Sequence, residues 1–292
     1  MPQAYLAGFA DNDGMIAVHD RRQGTYRLQL LKDTGLEGHL YSHILSDGSK
    51  QAPIEIMLSK IDGQFPALSK EFHKGAPRFT PTEIEPLFAW ISALVFRVPA
   101  MQNFLKRLGN RAMDAQLEVA LETEEAAQAY ASQIFGAESE VAQQSLEGIK
   151  TFIEDLEAKY PRANVSLHSS VKAMEQGHRL LCNKAHITVL HAPPGKQFVT
   201  SDRGPIAHHP KRPDGVEGYL GPGSTVLVPL SKYITLELID GPFKILHLHL
   251  SREDLTRINA IVTRASLRFV HGDSVQRLRA VIEKAKLGAF SA

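Results

Sequence analysis

The chain has 292 residues, of which 43% are hydrophobic, and this size and composition are typical of a globular protein with one large domain or two small ones. Its 33 Lys and Arg residues are balanced by 32 Asp and Glu residues, so the formal net charge of +1 excludes a global field that would hold a polyanion or an anionic membrane. The single cysteine, Cys182, excludes an internal disulfide and a zinc finger built from cysteines. No run of about 18 apolar residues predicts a membrane span. We therefore expect a cytoplasmic protein.

The N-terminal region predicts a β-hairpin. A turn signal at Asp11 to Gly14 precedes the apolar run 15–19, and a second turn at 20–24 precedes residues 25–30. Apolar and polar residues alternate in the second run, which places every other side chain on the same face of a strand. We therefore expect residues 15–30 to form two paired strands.

A helix is predicted from Pro53, because apolar residues recur at helical spacing from there to the glycine at position 75. Glu55 and Asp62 lie seven residues apart and project from nearly the same side of this helix, two turns removed. They form either one rim of a polar site or the solvated edge of an amphipathic helix.

The strongest helical pattern follows Thr82 and Glu85, which resemble a capping box. Pro99 interrupts this pattern and leaves Arg97 just before the break. The Arg97 guanidinium either satisfies the backbone carbonyls that the proline frees, or faces inward to bind Asp202 or an anionic ligand. Arginine suits the second role because it binds carboxylate and phosphate through two parallel hydrogen bonds.

A strand that ends abruptly is predicted at residues 196–200, which favour β-structure and precede a turn signal at 203–205. Ser201 and Asp202 therefore stand at its C-terminal edge. A carboxylate there is placed for chemistry or, alternatively, caps the turn with its own side chain. Residues 186–190, which precede a Pro-Pro-Gly turn, are expected to pair with this strand as a hairpin.

Three further strands are predicted at residues 226–228, 234–239 and 243–250. In the last of them, His247 and His249 lie on one strand face, at a spacing that allows both to bind a metal. A site needs a third ligand, for instance Asp202 or His191, and the alternative is a pair of half-buried strand histidines. We assign no metal and no cofactor.

The C-terminal region predicts two helices, the first capped by Ser251 and the second, at residues 273–287, basic. Asn259 falls inside the first helix, where asparagine is a poor helix former and needs a reason to be present. It either hydrogen-bonds a neighbouring loop or lines the same cleft as Asp202.

Several of these segments resemble, in the same order along the chain, the bacterial family catalogued as domain of unknown function 4238. The segments that carry the resemblance are Tyr5-Leu6 with the Asp13-Gly14 turn, Ile54-Glu55, Ile61-Asp62, Arg97-Val98-Pro99, Phe198 to Pro205, Val228 to Ser231, and Asn259. The family's usual Asn-Pro after the aspartate is replaced by Arg203-Gly204-Pro205, so no role of that asparagine carries over. The resemblance implies no reaction, because the family has none assigned.

These patterns together predict a single α+β domain over residues 1–292. A helical middle region packs on one face of an antiparallel or mixed sheet, which is built from the N-terminal hairpin and the strands of the C-terminal half. We expect one polar cleft beside the end of that sheet. Its catalytic residues are predicted to be Asp202, Glu55, Asp62 and Asn259. Its substrate-binding residues are predicted to be Arg97, Thr200, Ser201 and Tyr5.

This cleft predicts a hydrolase that acts on nucleic acid or a nucleotide, with nucleic acid as the candidate partner and anti-phage defence as a candidate role. For cleavage of an N-glycosidic bond, as in a DNA glycosylase, Asp202 directs water and offsets the oxocarbenium charge while Asn259 or Arg97 binds the departing base. Phosphodiester cleavage would instead require Glu55, Asp62 and Asp202 to share a divalent cation. The alternative is a non-catalytic binding module in which Asp202 and Arg97 form a structural ion pair.

Overall fold

The computed structural model describes residues 1–35, 43–44, 49–51, 53–74, 79–159, 162–209, 220–221 and 223–287. The strands are β1 (Met15–Asp20), β2 (Thr25–Leu30), β3 (His43–Ile44), β4 (Lys50–Gln51), β5 (Ala185–His191), β6 (Thr200–Ser201), β7 (Ile206–His208), β8 (Thr225–Pro229), β9 (Ile234–Asp240), β10 (Ile245–His249) and β11 (Phe269–Gly272). The α-helices are α1 (Gln3–Leu6), α2 (Pro53–His73), α3 (Pro81–Phe96), α4 (Pro99–Ala120), α5 (Glu124–Phe135), α6 (Leu146–Lys159), α7 (Arg162–Lys184), α8 (Arg252–Ala265) and α9 (Val275–Leu287). The predicted α+β class with its helical middle region is confirmed.

The chain divides into two compact units. The first consists of Met1–Gly38, Ile56–Val98 and Ala173–Ala292, and the second of His39–Glu55 and Pro99–Lys172. A domain is a unit that can fold on its own, so the expectation of a single domain over residues 1–292 stays a prediction.

Strands from both ends of the chain form two sheets in the first unit, an antiparallel one in the order β2-β1-β11-β6 and a mixed one in the order β10-β5-β9-β8-β7. The predicted N-terminal hairpin is confirmed as β1 and β2, whose register pairs Met15 with Leu30. Its first turn is held by Asp11, whose Oδ1 accepts hydrogen bonds from the backbone N–H groups of Asp13 and Met15. The strands of the first unit therefore form two sheets of the predicted kinds rather than one, and β3 pairs with β4 in the second unit.

The predicted hairpin between residues 186–190 and 197–200 is wrong. Strand β5 pairs instead with β9 and, in parallel, with β10, whereas β6 pairs with β11 through Val270 and Ser201. The reason is that the backbone of residues 197–199 binds outside β5. The Phe198 N–H donates a hydrogen bond to the Lys232 carbonyl at 2.8 Å. Residues 197–199 therefore leave the sheet of β5 before the chain enters β6.

Helix α3 is the central helix of the larger core. It is buried on most of its surface, and Trp90 on it stacks on Phe65 of α2 with ring centroids 4.0 Å apart. The predicted cap at Thr82 is wrong, because the capping box uses Thr80 and Glu83, which exchange side-chain to backbone hydrogen bonds of 3.3 and 2.8 Å. The helix starts there because proline at position 81 suits the first helical position, where its missing N–H costs nothing.

A second core cluster of the first unit contains residues of α8, α9 and β11. It includes Phe198, Leu255 and Leu278, all of them buried. Ser251 caps α8 as predicted, since its Oγ accepts a hydrogen bond from the Asp254 N–H at 3.0 Å.

The second unit contains a smaller core between α5 and α6. Its buried members are Ala127, Ala131, Ala142 and Ile149, and the rings of Phe135 and Phe152 meet edge to face beside them. In the described part of the chain, no helix taken singly has both the length and the apolarity to cross a membrane, although Pro81–Phe96 and Met101–Ala120 meet that criterion when counted together.

Candidate functional site

The Asp202 carboxylate binds the backbone at the start of β11. Its Oδ1 accepts a hydrogen bond from the Leu267 N–H at 2.9 Å, and its Oδ2 accepts from the N–H groups of Arg268 and Phe269 at 2.8 and 3.0 Å. The Asp202 N–H in turn donates to the Phe269 carbonyl at 3.0 Å. The side chain therefore holds the chain after β6 against the segment that enters β11, and its three hydrogen bonds satisfy these backbone amides.

Arg97 pairs with Asp62, so the predicted ion pair between Arg97 and Asp202 is wrong. The guanidinium Nη1 and Nη2 atoms donate to the two carboxylate oxygens of Asp62 at 2.7 and 2.5 Å, in the two-pronged geometry that arginine favours. The Arg97 side chain is 10% exposed and that of Asp62 23% exposed, so water screens this pair only partly. Arg97 ends α3 beside α2, while the oxygens of Asp202 already bind backbone amides.

Glu55, the second predicted carboxylate of α2, falls in the second unit, whereas Asp62 falls in the first. The Glu55 side chain is half-buried. Its catalytic role stays a prediction.

Asn259 joins α8 to the segment between β5 and β6. Its Nδ2 donates to the Gln197 carbonyl at 2.9 Å, and its Oδ1 accepts from the Val199 N–H at 3.1 Å. The side chain is buried, so these bonds replace the strand partners that this segment lacks. The alternative in which Asn259 hydrogen-bonds a neighbouring loop is therefore the arrangement observed.

Tyr5, Thr200 and Ser201 are fully buried, so none of them contacts a substrate in this conformation. The Tyr5 hydroxyl and Thr200 Oγ1 are hydrogen-bonded at 2.5 Å. Burial raises the pKa of the Tyr5 phenol above its usual range, although the hydrogen bond with Thr200 opposes that change, so Tyr5 is neutral at physiological pH. This pair joins α1 to β6 inside the larger core.

The predicted site residues thus come together only in part. Asp62 meets Arg97, and Tyr5 meets Thr200, while Asp202 and Asn259 bind separate stretches of backbone. Each of these polar side chains therefore has a partner that gives it a structural role. The catalytic and substrate-binding roles stay predictions.

The two strand histidines of β10 do have a third imidazole beside them. His191 of β5 lies with its ring centroid 5.3 Å from that of His247 and 4.8 Å from that of His249, and its Nε2 is 2.9 Å from Nδ1 of His247. Burial, and then the neighbouring imidazoles, lower the pKa of His191, and burial likewise lowers the pKa of His247. A hydrogen bond between two neutral rings accounts for this contact.

A cavity of about 300 Å³ in the first unit collects cationic side chains that the sequence left unassigned. Residues 195–199, α8 and α9 line it, and its floor includes the buried side chains of Phe198, Leu255 and Leu278. The cationic lining residues are Lys196, Arg252, Arg277 and Lys284, all exposed at the rim. The basic composition of residues 273–287 was the available signal, but it did not indicate which of its cations face a cavity.

Among the described residues that line the cavity, one carboxylate faces these four cations. Asp273 lines the same cavity and accepts a hydrogen bond from Arg277 at 2.8 Å, so this pair neutralises itself. These lining residues leave three cations in excess around an apolar floor, and Asn259 also lines the cavity. Such an arrangement can bind a ligand that has both a planar apolar part and negative charge.

Comparison with known proteins gives a family and no activity. A family model described as "Protein of unknown function (DUF4238)" matches residues 1–275, in agreement with the resemblance seen in the sequence. No curated protein and no solved structure matches the chain.

Proposed function

We propose that this chain, which belongs to the family described as protein of unknown function DUF4238, binds a nucleotide in the cavity between residues 195–199, α8 and α9. The observation that carries the proposal is the excess of cationic side chains around an apolar floor in a cavity of about 300 Å³. We further propose that it does so in the cytoplasm.

The two parts of a nucleotide fit the two parts of this cavity. A base is planar and mostly apolar, so it can bury its faces against Phe198 and Leu255, and phosphates at the rim can accept hydrogen bonds from Arg252 and Lys284. Pockets that hold small ligands typically measure about 300–1,000 Å³, so this cavity suits one nucleotide unit rather than a duplex. The terminal nucleotide of a single strand offers the same groups, which keeps nucleic acid as a candidate partner.

The cavity favours binding over hydrolysis. The carboxylate found among the described lining residues, Asp273, already pairs with Arg277, and the predicted catalytic Asp202 binds three backbone amides instead. A general base needs an acceptor that can reach a substrate proton, and Asp273 and Asp202 each have hydrogen bonds to lose before serving as one. We therefore propose the non-catalytic binding module, with Asp62 in place of Asp202 as the ion-pair partner of Arg97.

Isothermal titration calorimetry with AMP, ATP, uncharged adenosine and a short single-stranded DNA tests this proposal. We expect AMP or ATP to bind one to one and adenosine to bind at least about tenfold more weakly, since one charge-assisted hydrogen bond is worth about 1.5–3 kcal/mol. Products are analysed by chromatography after each titration. Release of free base or phosphate would support the predicted hydrolase instead.

Two lysines of α9 provide a matched pair of variants. Lys284 lines the cavity, whereas Lys286 does not, and both are exposed, so Lys284→Ala and Lys286→Ala remove the same charge from the same helix. Lys284→Ala should weaken nucleotide binding at least about tenfold, as expected for one lost charged contact, and Lys286→Ala should leave it nearly unchanged. Equal effects of the two substitutions, or no nucleotide binding by the folded wild type, would refute the proposed site.

A further inference from the structure

A second cluster of ligand-forming side chains lies on α3 and α7, away from the helices that line the cavity. His178 and Cys182 are four residues apart on α7 and share one helix face, and Glu85 of α3 lies opposite them. The Cys182 Sγ is 3.3 Å from His178 Nε2, which is 3.7 Å from Glu85 Oε1. One ligand atom from each residue lies within 4.8 Å of both others, and no other such group of three occurs in the chain ranges that the structure describes.

The geometry converges on a point rather than forming a relay. In a catalytic Cys-His-acid arrangement the imidazole uses one nitrogen for the thiol and the other for the acid. Here the same Nε2 of His178 faces both the Cys182 sulfur and the Glu85 carboxylate. Three donor atoms that face one another across a shared space are the arrangement that a cation requires.

Close packing holds the two helices at this spacing. The Ser92 Oγ donates a hydrogen bond to the Met174 carbonyl at 2.6 Å, two turns along α3 from Glu85 and one turn along α7 from His178. Gly177 permits this approach, since a Cβ at that position would lie 2.7 Å from Ser92 Oγ. This packing keeps α3 and α7 in contact, so the backbone positions of the three ligands lie close together without a metal.

We propose that Glu85, His178 and Cys182 form a Zn²⁺ site with its fourth coordination position open to water. Thiolate, imidazole and carboxylate are all zinc ligands, and sites with three protein ligands keep the fourth position open. The sulfur and nitrogen donors disfavour Mg²⁺ and Ca²⁺, which take oxygen ligands. The Glu85 side chain is 53% exposed and that of His178 27% exposed, so an ion can enter from solvent.

Titration of the metal-free, reduced full-length protein with Co²⁺ tests this site. Cobalt takes the tetrahedral geometry of zinc, and a thiolate ligand adds a charge-transfer absorption in the near ultraviolet. Cys182 is the only cysteine of the chain, so that absorption reports this site alone even if some of the other histidines also bind cobalt. We expect the band to saturate at one Co²⁺ per chain and to be abolished when Zn²⁺ is added.

Variants assign the ligands. Cys182→Ser should abolish the band, and His178→Ala and Glu85→Gln should each weaken Co²⁺ binding at least about tenfold, because altering even a hydrogen-bond partner of a metal ligand costs about 10–100-fold. Glu175→Gln, an exposed carboxylate change on α7, is the control and should bind Co²⁺ as the wild type does. Circular dichroism confirms that each variant is folded.

The wild-type titration decides the matter even if a variant does not fold. A folded wild type without the charge-transfer band overturns the proposal, as does a band that persists in Cys182→Ser. Equal Co²⁺ affinities of Glu85→Gln and Glu175→Gln would overturn the role of Glu85. None of these outcomes bears on the nucleotide cavity, which is formed by other helices.

Discussion

Replacing Asp202 by alanine should destabilise the first unit strongly, because three backbone N–H groups lose their acceptor. Those of Arg268 and Phe269 are part-buried and share Oδ2, while that of Leu267 is exposed and regains a partner in water. A hydrogen bond to a charged acceptor contributes about 1.5–3 kcal/mol, so the two part-buried bonds give a loss of about 3–6 kcal/mol. Asp202→Asn keeps one oxygen acceptor without the charge and should lose less, about 1–3 kcal/mol.

Urea unfolding followed by tryptophan fluorescence measures this loss. The chain has a single tryptophan, Trp90, which is buried in the first unit and therefore reports the unit that contains Asp202. Asp240→Ala is the control, since it removes an exposed carboxylate from the end of β9 and should change stability by no more than about 0.5 kcal/mol. If Asp202→Ala unfolds like the wild type while a cellular activity disappears, the structural account of Asp202 is refuted and its predicted catalytic role is supported.

Three further predictions concern groups that the structure pairs or buries. Arg97→Ala leaves the Asp62 carboxylate without its two-pronged partner and should lower the free energy of unfolding in urea by about 2–4 kcal/mol. Arg97→Lys should recover less than half of this loss, and full recovery would contradict the role of the paired geometry. Asn259→Ala leaves the Val199 N–H and the Gln197 carbonyl unpaired and should lower the free energy of unfolding by about 2–3 kcal/mol. Amide exchange at Val199 should become faster. Unchanged exchange would show that these bonds do not hold the segment. Burial lowers the pKa of His271 to about 3, and the N-terminal ammonium and Arg27 add smaller effects in the same direction. The contribution of His271 to stability is therefore fully present above its unfolded pKa of about 6.5 and is lost as the pH falls toward 3. Because of His271, the free energy of unfolding should decrease by about 3 kcal/mol between pH 7 and pH 4. In His271→Gln the decrease should be smaller by that amount. Equal decreases in the two proteins would contradict the burial of a neutral imidazole.

Features that depend on local sequence were predictable. The β1–β2 hairpin follows from a turn signal between two strand patterns, and the cap of α8 follows from Ser251 three residues before Asp254. Asn259 was recognisable as a residue that needs a partner, because asparagine is poor inside a helix. In each of these cases the interacting groups lie close in sequence or the misfit is visible at one position.

Features that depend on distant pairing were not predictable. Asp202 binds amides 65–67 residues away, and Asp62 is 35 residues from Arg97, so residue type alone could not choose between Asp62 and Asp202 as the partner of the guanidinium. The hairpin expected after β5 does not form because β9 and β10 pair with the two edges of that strand. The cations of the cavity come from three separate segments, and only the fold brings them together.

The nucleotide cavity is tested most directly by a crystal structure of the protein grown with the nucleotide that binds most tightly in calorimetry. We expect the base to lie against Phe198 and Leu255 and the phosphates to lie within hydrogen-bonding distance of Arg252 and Lys284. A nucleotide bound elsewhere on the protein, with only solvent between α8 and α9, would contradict the proposed function.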